Sequence, residues 1–248
     1  MIILKSRREI DRMRTSCKIA IEILFLLKDL VKPGISTMDL ESIANEETKK
    51  RKAIPAFKGY HGFPSALCCS PNQQVVHGMP TSKPLQSGDI LSLDFGVLFD
   101  EYYGDAAITV PVGDISIQAS KLIEVTEKSL SEGIEKAVPA GRLYDISSAI
   151  QTYVEVHGFS VVRDFVGHGI GKHLHEDPQV PNYGLPGKGV RLKAGMVLAI
   201  EPMINQKNHD VRVLKDGWTV ETCDGGLSAH FEHTVAITDN GPEILTRL

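Results

Sequence analysis

Residues 90–110 read ILSLDFGVLFDEYYGDAAITV. Two runs of β-forming residues flank a polar tip at Asp100 and Glu101, which predicts an antiparallel hairpin. Residues that face each other across a hairpin have numbers that sum to a constant, and this tip sets the constant at about 199 to 201. We therefore expect Asp94 and Asp105 to lie opposite or diagonally across from each other on one face. Two acids so close repel unless a cation lies between them, although a solvated face with two unrelated acids is the alternative for this pair alone.

Part of this hairpin recurs later in the chain. The segment GDILSLDF (88–95) resembles GMVLAIEP (195–202), so that Asp94 aligns with Glu201, 107 residues further on. The same spacing relates a His-Gly pair at 61–62 to another at 168–169. Internal repetition of this kind predicts a fold assembled from two similar units.

Glu232 lies on the next β-like run after Glu201, just as Asp105 follows Asp94. The repeat therefore predicts a single domain over residues 1–248, built from two helix–helix–strand–strand halves at roughly 1–112 and 113–248. The halves would face each other across a pseudo-twofold axis. Four carboxylates would then converge on that axis, and such a cluster requires a metal.

Composition limits the class of protein. The 248 residues are 42% apolar, which supports a sizeable core, and the net charge of −4 gives no electrostatic footprint for DNA. The four cysteines lack the spacing of a disulfide framework or a CxxC motif, which favours a reducing compartment. The longest apolar run, residues 19–27, is interrupted by Glu22 and is too short to span a membrane, and no signal peptide is visible. We expect a cytoplasmic protein with no membrane partner.

Four helices are predicted from apolar residues at 3–4 spacing and from flanking start and stop signals. The first begins after a capping box, Ser6 to Glu9, and ends before Pro33-Gly34. A serine or threonine at 36–37 begins the second, which runs to about Lys52, and the other two span about 115–138 and 144–157.

Aromatic residues and a histidine follow the second helix, in the segment AFKGYHGFPSALCCSPNQQVVHGMP (56–80). Its glycines and prolines place Phe57, Tyr60 and Phe63 on a loop near the sheet edge, either as core filler or as the wall of an apolar pocket. His77 lies at a strand end. Without further context a structural role for a lone histidine is the simpler interpretation.

The segment FVGHGIGKHLHEDPQVPNY (165–183) carries two further histidines, His168 and His175. Three glycines around His168 permit unusual backbone turns, so we predict a bent strand or loop rather than the helix of an HExxH zinc motif. One of the two histidines can reach a metal while the other stays free.

These motifs resemble a known family. The run GHGIGKHLHEDPQVPNY, with IEPM around Glu201 and FEHT around Glu232, closely resembles the signature of type I methionine aminopeptidases, and VVHGMP, LDFG and YGDAA match in the same order and spacing. The resemblance covers essentially the whole chain. It implies the α/β (α+β) pita-bread fold around an antiparallel sheet, whose pseudo-twofold axis agrees with the repeat.

The resemblance also implies a dinuclear metal centre. Its five ligands would be Asp94, Asp105, His168, Glu201 and Glu232, with Asp105 and Glu232 bridging both ions, Asp94 completing one, and His168 and Glu201 completing the other. Two divalent ions would neutralise the four acids and could bring the pKa of a shared water to about 7. Oxygen-rich ligation with a single imidazole favours Co²⁺, Mn²⁺ or Fe²⁺, with Zn²⁺ or Ni²⁺ as further candidates.

Catalytic and substrate-binding roles carry over in the same way. His77, His175 and Glu201 match catalytic positions, and the two histidines would also contact substrate. The methionine pocket would be lined by Phe57, Tyr60, Phe63, Cys68, Leu174 and Trp218. Many members have Phe at the position of Leu174, and some have Cys at that of Phe57, so both departures would reshape the pocket without affecting the chemistry.

The implied function is removal of the N-terminal initiator methionine from nascent proteins when the second residue is small, by a metallo-aminopeptidase. A monomer is expected. The basic residues 49–52 have two interpretations. They could contact the ribosome transiently, or they could complement the dipole at the C-terminus of the second helix, and we favour the second interpretation. Two other functions stay open: a pita-bread peptidase that cleaves Xaa-Pro bonds, and a pita-bread binding module without catalysis. Xaa-Pro relatives carry a large N-terminal domain, whereas the first helix here starts at about Arg7, and non-catalytic relatives lack several ligands that this chain has.

Overall fold

A computed structural model describes residues 1–248 as four α-helices, one short 3₁₀ helix (Tyr60–Gly62) and fifteen strands. The helices are α1 (Arg7–Leu30), α2 (Thr37–Lys50), α3 (Ile117–Ile134) and α4 (Leu143–Val156). The strands are β1 (Ile54–Pro55), β2 (Cys68–Pro71), β3 (Gln74–Val76), β4 (Ile90–Phe99), β5 (Tyr102–Pro111), β6 (Ser160–Val161), β7 (Gly167–Gly169), β8 (Glu176–Val180), β9 (Val197–Ile200), β10 (Met203–Asn205), β11 (Val211–Val213), β12 (Val220–Thr222), β13 (Ser228–His230), β14 (Glu232–Thr238) and β15 (Gly241–Ile244).

The central sheet has nine antiparallel strands in the order β1-β4-β5-β14-β9-β7-β8, with β2 added to β4 and β15 added to β14. Two small three-stranded sheets, β13-β10-β6 and β11-β12-β3, complete the β structure. The mixed α/β class with an antiparallel sheet is therefore confirmed. Strands from before and after residue 112 meet where β5 pairs with β14. The division into two half-repeats stays a prediction.

The hairpin of β4 and β5 has the predicted register. Ile90 pairs with Pro111, so facing numbers sum to 201, and Asp94 and Asp105 lie diagonally across on one face. The turn residues Asp100 and Glu101 both have positive φ, 48° and 68°, as a two-residue type I′ turn requires.

Helix ends follow local hydrogen bonds. The Ser6–Glu9 capping box starts α1 at Arg7, as predicted. Helix α3 is shorter than predicted at both ends: the Ser116 hydroxyl accepts from the Ala119 N–H and fixes the start at Ile117, and tight i→i+3 bonds after Gly133 end the helix before Pro139.

The buried stripe of α1 packs against β4 and β5, and α3 packs against α4 and the strands of the second half of the chain. Helix α1 approaches β5 very closely at Gly104, where an added Cβ would lie 2.4 Å from the Cys17 nitrogen. None of the four helices combines the length and the apolar character needed to cross a membrane.

Candidate metal centre and substrate pocket

Neighbouring strands of the central sheet bring the five predicted ligands together. Asp94 lies on β4, Asp105 on β5 and Glu232 at the start of β14, while Glu201 follows β9 directly and His168 is the middle residue of β7. These strands are adjacent in the order β4-β5-β14-β9-β7. Acids that are more than a hundred residues apart in sequence therefore share one site.

The carboxylates are buried without partners. Asp94, Asp105 and Glu232 are at most 9% exposed, and each has one oxygen that accepts no hydrogen bond. Burial raises the pKa of Asp105 to about 7. Burial, and then repulsion from neighbouring carboxylates, raises the pKa of Glu201 and Glu232 well above the usual range. Buried, unpaired acids of this kind form a donor set suited to a cation.

His168 is prepared to bind a metal through Nε2. Its Nδ1 lies 2.9 Å from the Gly169 carbonyl oxygen, which can only accept, so Nδ1 carries the proton and the Nε2 lone pair is free. Burial lowers the pKa of His168 to about 3, so the imidazole is neutral. His168, Asp105 and Glu232 offer ligand atoms that all lie within 4.8 Å of one another. This donor set fits a divalent ion.

A cavity of about 210 Å³ opens on this cluster. It is lined by fifteen residues, which include all thirteen predicted site residues together with His61 and Val76. The thirteen are the five ligands, His77 and His175, and the six residues proposed for the pocket: Phe57, Tyr60, Phe63, Cys68, Leu174 and Trp218.

The aromatic loop forms the apolar wall of this cavity. Phe63 packs edge-to-face against Trp218 with 5.2 Å between ring centroids, and Phe57 and Phe63 are both buried. Phe57 and Phe63 both pack in a buried hydrophobic cluster and line the cavity, and their role as the wall of a substrate pocket stays a prediction. An apolar aromatic surface suits an unbranched side chain, and aromatic rings make favourable contacts with sulfur.

The two free histidines lie beside the ligands. Burial lowers the pKa of His77 to about 4, and His77 adopts a left-handed backbone (φ 58°) just after β3. His175 is solvent-exposed, stacks edge-to-face on His168 at 4.3 Å between centroids, and places Nδ1 2.9 Å from the Tyr60 hydroxyl. Both rings face the cavity.

Comparison with known proteins assigns the family. Residues 11–239 match metallopeptidase family M24. The chain belongs to this family. It is 59% identical to a methionine aminopeptidase of Clostridium perfringens over 99% of both chains, and 55% identical to methionine aminopeptidase 1 of Bacillus subtilis over the full length of both.

Solved structures of this M24 family agree. The crystal structure of methionine aminopeptidase from Rickettsia prowazekii matches the whole chain with a TM-score of 0.98 at 44% identity. A prolidase from Pyrococcus horikoshii matches with a TM-score of 0.80 at 24% identity, and the match covers 64% of that longer chain, so it shows the shared fold alone. The predicted pita-bread fold and the resemblance to methionine aminopeptidases are both confirmed. Membership in a metallopeptidase family implies a divalent metal.

Sequence reasoning missed one buried residue at this M24 site. His230, at the end of β13, is 1% exposed, and its Nε2 lies 3.5 Å from Glu201 Oε2. A signal existed, because His230 precedes Glu232 by two residues and alternate residues of an extended chain share a face.

Proposed function

We propose that this protein removes the initiator methionine from the N-terminus of nascent proteins when the second residue is small. As a member of the methionine aminopeptidases it is a metallo-aminopeptidase, a hydrolase. One observation carries the proposal: the apolar aromatic cavity and the carboxylate cluster line the same space. A side chain held by Phe63 and Trp218 would therefore present its own backbone to the cluster.

The five buried ligands would hold two divalent ions. Asp105 and Glu232 would bridge them, Asp94 would complete one, and His168 with Glu201 would complete the other. Co²⁺, Mn²⁺ and Fe²⁺ suit this oxygen-rich set best, with Zn²⁺ and Ni²⁺ as further candidates. Such a pair of ions supplies Lewis acidity, which polarises a carbonyl and makes water acidic enough to ionise near neutral pH.

The remaining polar side chains would move protons and stabilise charge. His175 would donate from Nε2 to the oxygen of the scissile carbonyl as negative charge develops there. His77 would hydrogen-bond the peptide near the scissile amide nitrogen, and Glu201 would accept a proton as general base. The support for these roles is that all three side chains line the cavity.

The N-terminal peptide of a protein is the proposed partner, and we expect a monomer in the cytoplasm. Contact with the ribosome through residues 49–52 has less support. Lys50 and Arg51 both pair with Glu47, and Arg51 also lies 3.7 Å from Glu22, so much of this charge is balanced within the protein.

Hydrolysis of three peptides tests the function. With Mn²⁺ or Co²⁺ added, we expect release of methionine from a Met-Gly peptide and little cleavage of matched Leu-Gly or Xaa-Pro peptides. Equal turnover of all three would remove the methionine assignment, and preference for Xaa-Pro would favour the prolidase-like alternative. Absence of hydrolysis in every case would favour a binding module.

A further inference from the structure

The backbone of His230 is fixed by the hairpin. Its N–H donates to the Thr109 hydroxyl oxygen at 2.8 Å, and its carbonyl oxygen lies 2.8 Å from the same hydroxyl. Thr109 lies on β5, the strand that also carries Asp105. The position of His230 relative to the carboxylates is therefore set by the sheet itself.

The imidazole of His230 is buried and directed at Glu201. No atom of the protein makes a hydrogen bond with its Nε2, which lies 3.5 Å from Glu201 Oε2. The other oxygen of the same carboxylate, Oε1, lies 3.5 Å from His168 Nε2. Glu201 thus stands between two imidazoles, one predicted to bind a metal and the other without a role.

Hydrogen-bonding capacity favours a bond between these two groups. A buried N–H that has lost water and found no acceptor is unfavourable, and Glu201 Oε2 is the acceptor that lies 3.5 Å from His230 Nε2. A neutral imidazole carries one ring proton, on either Nδ1 or Nε2. A carboxylate oxygen beside Nε2 favours that proton on Nε2.

We propose that His230 is a positioning residue for Glu201. In this role Nε2–H would be directed at Oε2, 3.5 Å away, which would restrict rotation of the carboxylate and leave Oε1 facing His168 and the other carboxylates. Partners of this kind orient ligands, and their loss commonly lowers metal affinity or activity about 10–100-fold. The inference deepens the proposed function and rests on it for the reaction, although the metal-binding part can be tested without hydrolysis.

Three variants distinguish the loss of the N–H donor of His230 from the loss of its imidazole ring. His230→Leu and His230→Met remove the N–H, whereas His230→Gln keeps an N–H donor at similar reach. Calorimetric titration of chelator-treated protein with Mn²⁺ should show affinity reduced about 10–100-fold in the Leu and Met variants and near wild type in the Gln variant. His233→Leu is the matched control: its ring is held by the Thr246 hydroxyl at 2.9 Å, so its Mn²⁺ affinity should be unchanged.

Kinetics give a second readout that a purely structural role would not produce. With a Met-Gly peptide the Leu and Met variants should lose kcat with little change in KM, and the Gln variant should recover it. Unchanged Mn²⁺ affinity in both apolar variants would overturn the proposal. A Gln variant as weak as the Leu variant would also overturn it, because the imidazole would then be needed as a metal ligand.

The tautomer can be read in the unaltered protein. Long-range ¹H–¹⁵N spectra of metal-free protein with labelled histidine should show His230 protonated at Nε2, with its signals assigned by their absence in His230→Gln. A proton on Nδ1 alone would overturn the proposal even if no apolar variant folds. Failure of the wild type to release methionine would instead count against the proposed function and leave this measurement and the titrations intact.

Discussion

The hydroxyl of Tyr60 contacts Nδ1 of His175, so Nε2 is the nitrogen that stays available to the proposed substrate. Nδ1 of His175 lies 2.9 Å from the Tyr60 oxygen, and the two rings meet edge-to-face. The proposed role of His175 requires the phenol to donate to Nδ1, because only then does Nε2 carry the imidazole proton. Although part of the residue is exposed, desolvation of its ring in the cavity and then the nearby His61 lower the pKa of His175, so the neutral ring predominates near neutral pH. The proposed oxyanion donor is therefore preorganised by a residue that the sequence assigned only to the pocket wall.

Removal of that hydroxyl should impair turnover more than binding. For Tyr60→Phe we expect kcat to fall by about tenfold, the equivalent of one hydrogen bond of about 1–1.5 kcal/mol, with KM for a Met-Gly peptide and bound metal little changed. His175→Ala should lower kcat more strongly with metal content intact. Added to His175→Ala, the Tyr60→Phe change should have no further effect. Independent, additive losses would show that Tyr60 acts elsewhere, and metal loss in His175→Ala would make that histidine a ligand.

Individual side chains of the site were largely predictable, whereas their mutual contacts were not. All thirteen predicted residues line one cavity, because the motifs around Asp94, His168 and Glu232 are specific and occur in order. The Tyr60–His175 bond joins residues 115 positions apart and depends on how two loops fold. His230 was missed because it belongs to none of the matched motifs. Only its spacing from Glu232 indicated it.

At the level of elements, α1 lies directly on the hairpin that carries two of the acids. The Ser16 hydroxyl donates to the Tyr102 carbonyl at 2.9 Å, and the backbone of Gly104 passes so close that a Cβ would come within 2.4 Å of the Cys17 nitrogen. Asp105 is the next residue along β5. The packing of α1 on β5 therefore fixes the position of Asp105, a predicted bridging ligand.

An alanine at position 104 should push α1 and β5 apart. Gly104→Ala places a methyl against helix backbone that cannot rotate away, so we expect a loss of about 2–3 kcal/mol in the free energy of unfolding, measured in urea. Gly133→Ala is the comparison: its methyl would also be crowded, 2.7 Å from Ile150 Cγ1, but against a side chain rather than backbone and with a gain in helix propensity, so we expect a smaller loss. Equal effects of the two substitutions would mean that the close approach of α1 and β5 carries no special cost.

The long elements were predictable because their signals are local. The tip at Asp100 and Glu101 fixes the hairpin register, and the capping box at Ser6 fixes the start of α1. The small sheets were not predicted, since strands such as β6 and β13 have two or three residues and too little alternation to detect. Their pairing, for example of Met203 with His230, depends on tertiary contacts.

At the scale of the whole molecule, the cluster links five strands from both ends of the chain, so metal binding and folding stability are coupled. Burial raises the pKa of Asp105 from 3.8 to about 7 in the metal-free fold. The stability that follows from this shift is fully present below pH 3.8 and is lost as pH rises through about 7. Buried histidines such as His168 act in the opposite direction below pH 6.5, because the unfolded chain binds protons that the folded state excludes.

Replacing Asp105 with asparagine isolates the contribution of this carboxylate to the pH dependence of stability, because the contributions of the histidines are the same in variant and wild type. At pH 5 Asp105 is protonated in the folded state but already ionised in the unfolded chain, so metal-free Asp105→Asn should be more stable than wild type by only about 1–2 kcal/mol. At pH 8 the wild type carries the buried charge, and the variant should be more stable by on the order of a few kcal/mol. Mn²⁺ should reverse this order of stability, since it stabilises the wild type more.

Calorimetric melting with chelator or Mn²⁺ at both pH values measures these differences, with the exposed Asp239→Asn as a control that should show neither effect. A metal-free Asp105→Asn protein less stable than wild type at pH 8 would mean that the charge of Asp105 does not oppose folding, and the case for a cation at its side would lose its electrostatic basis.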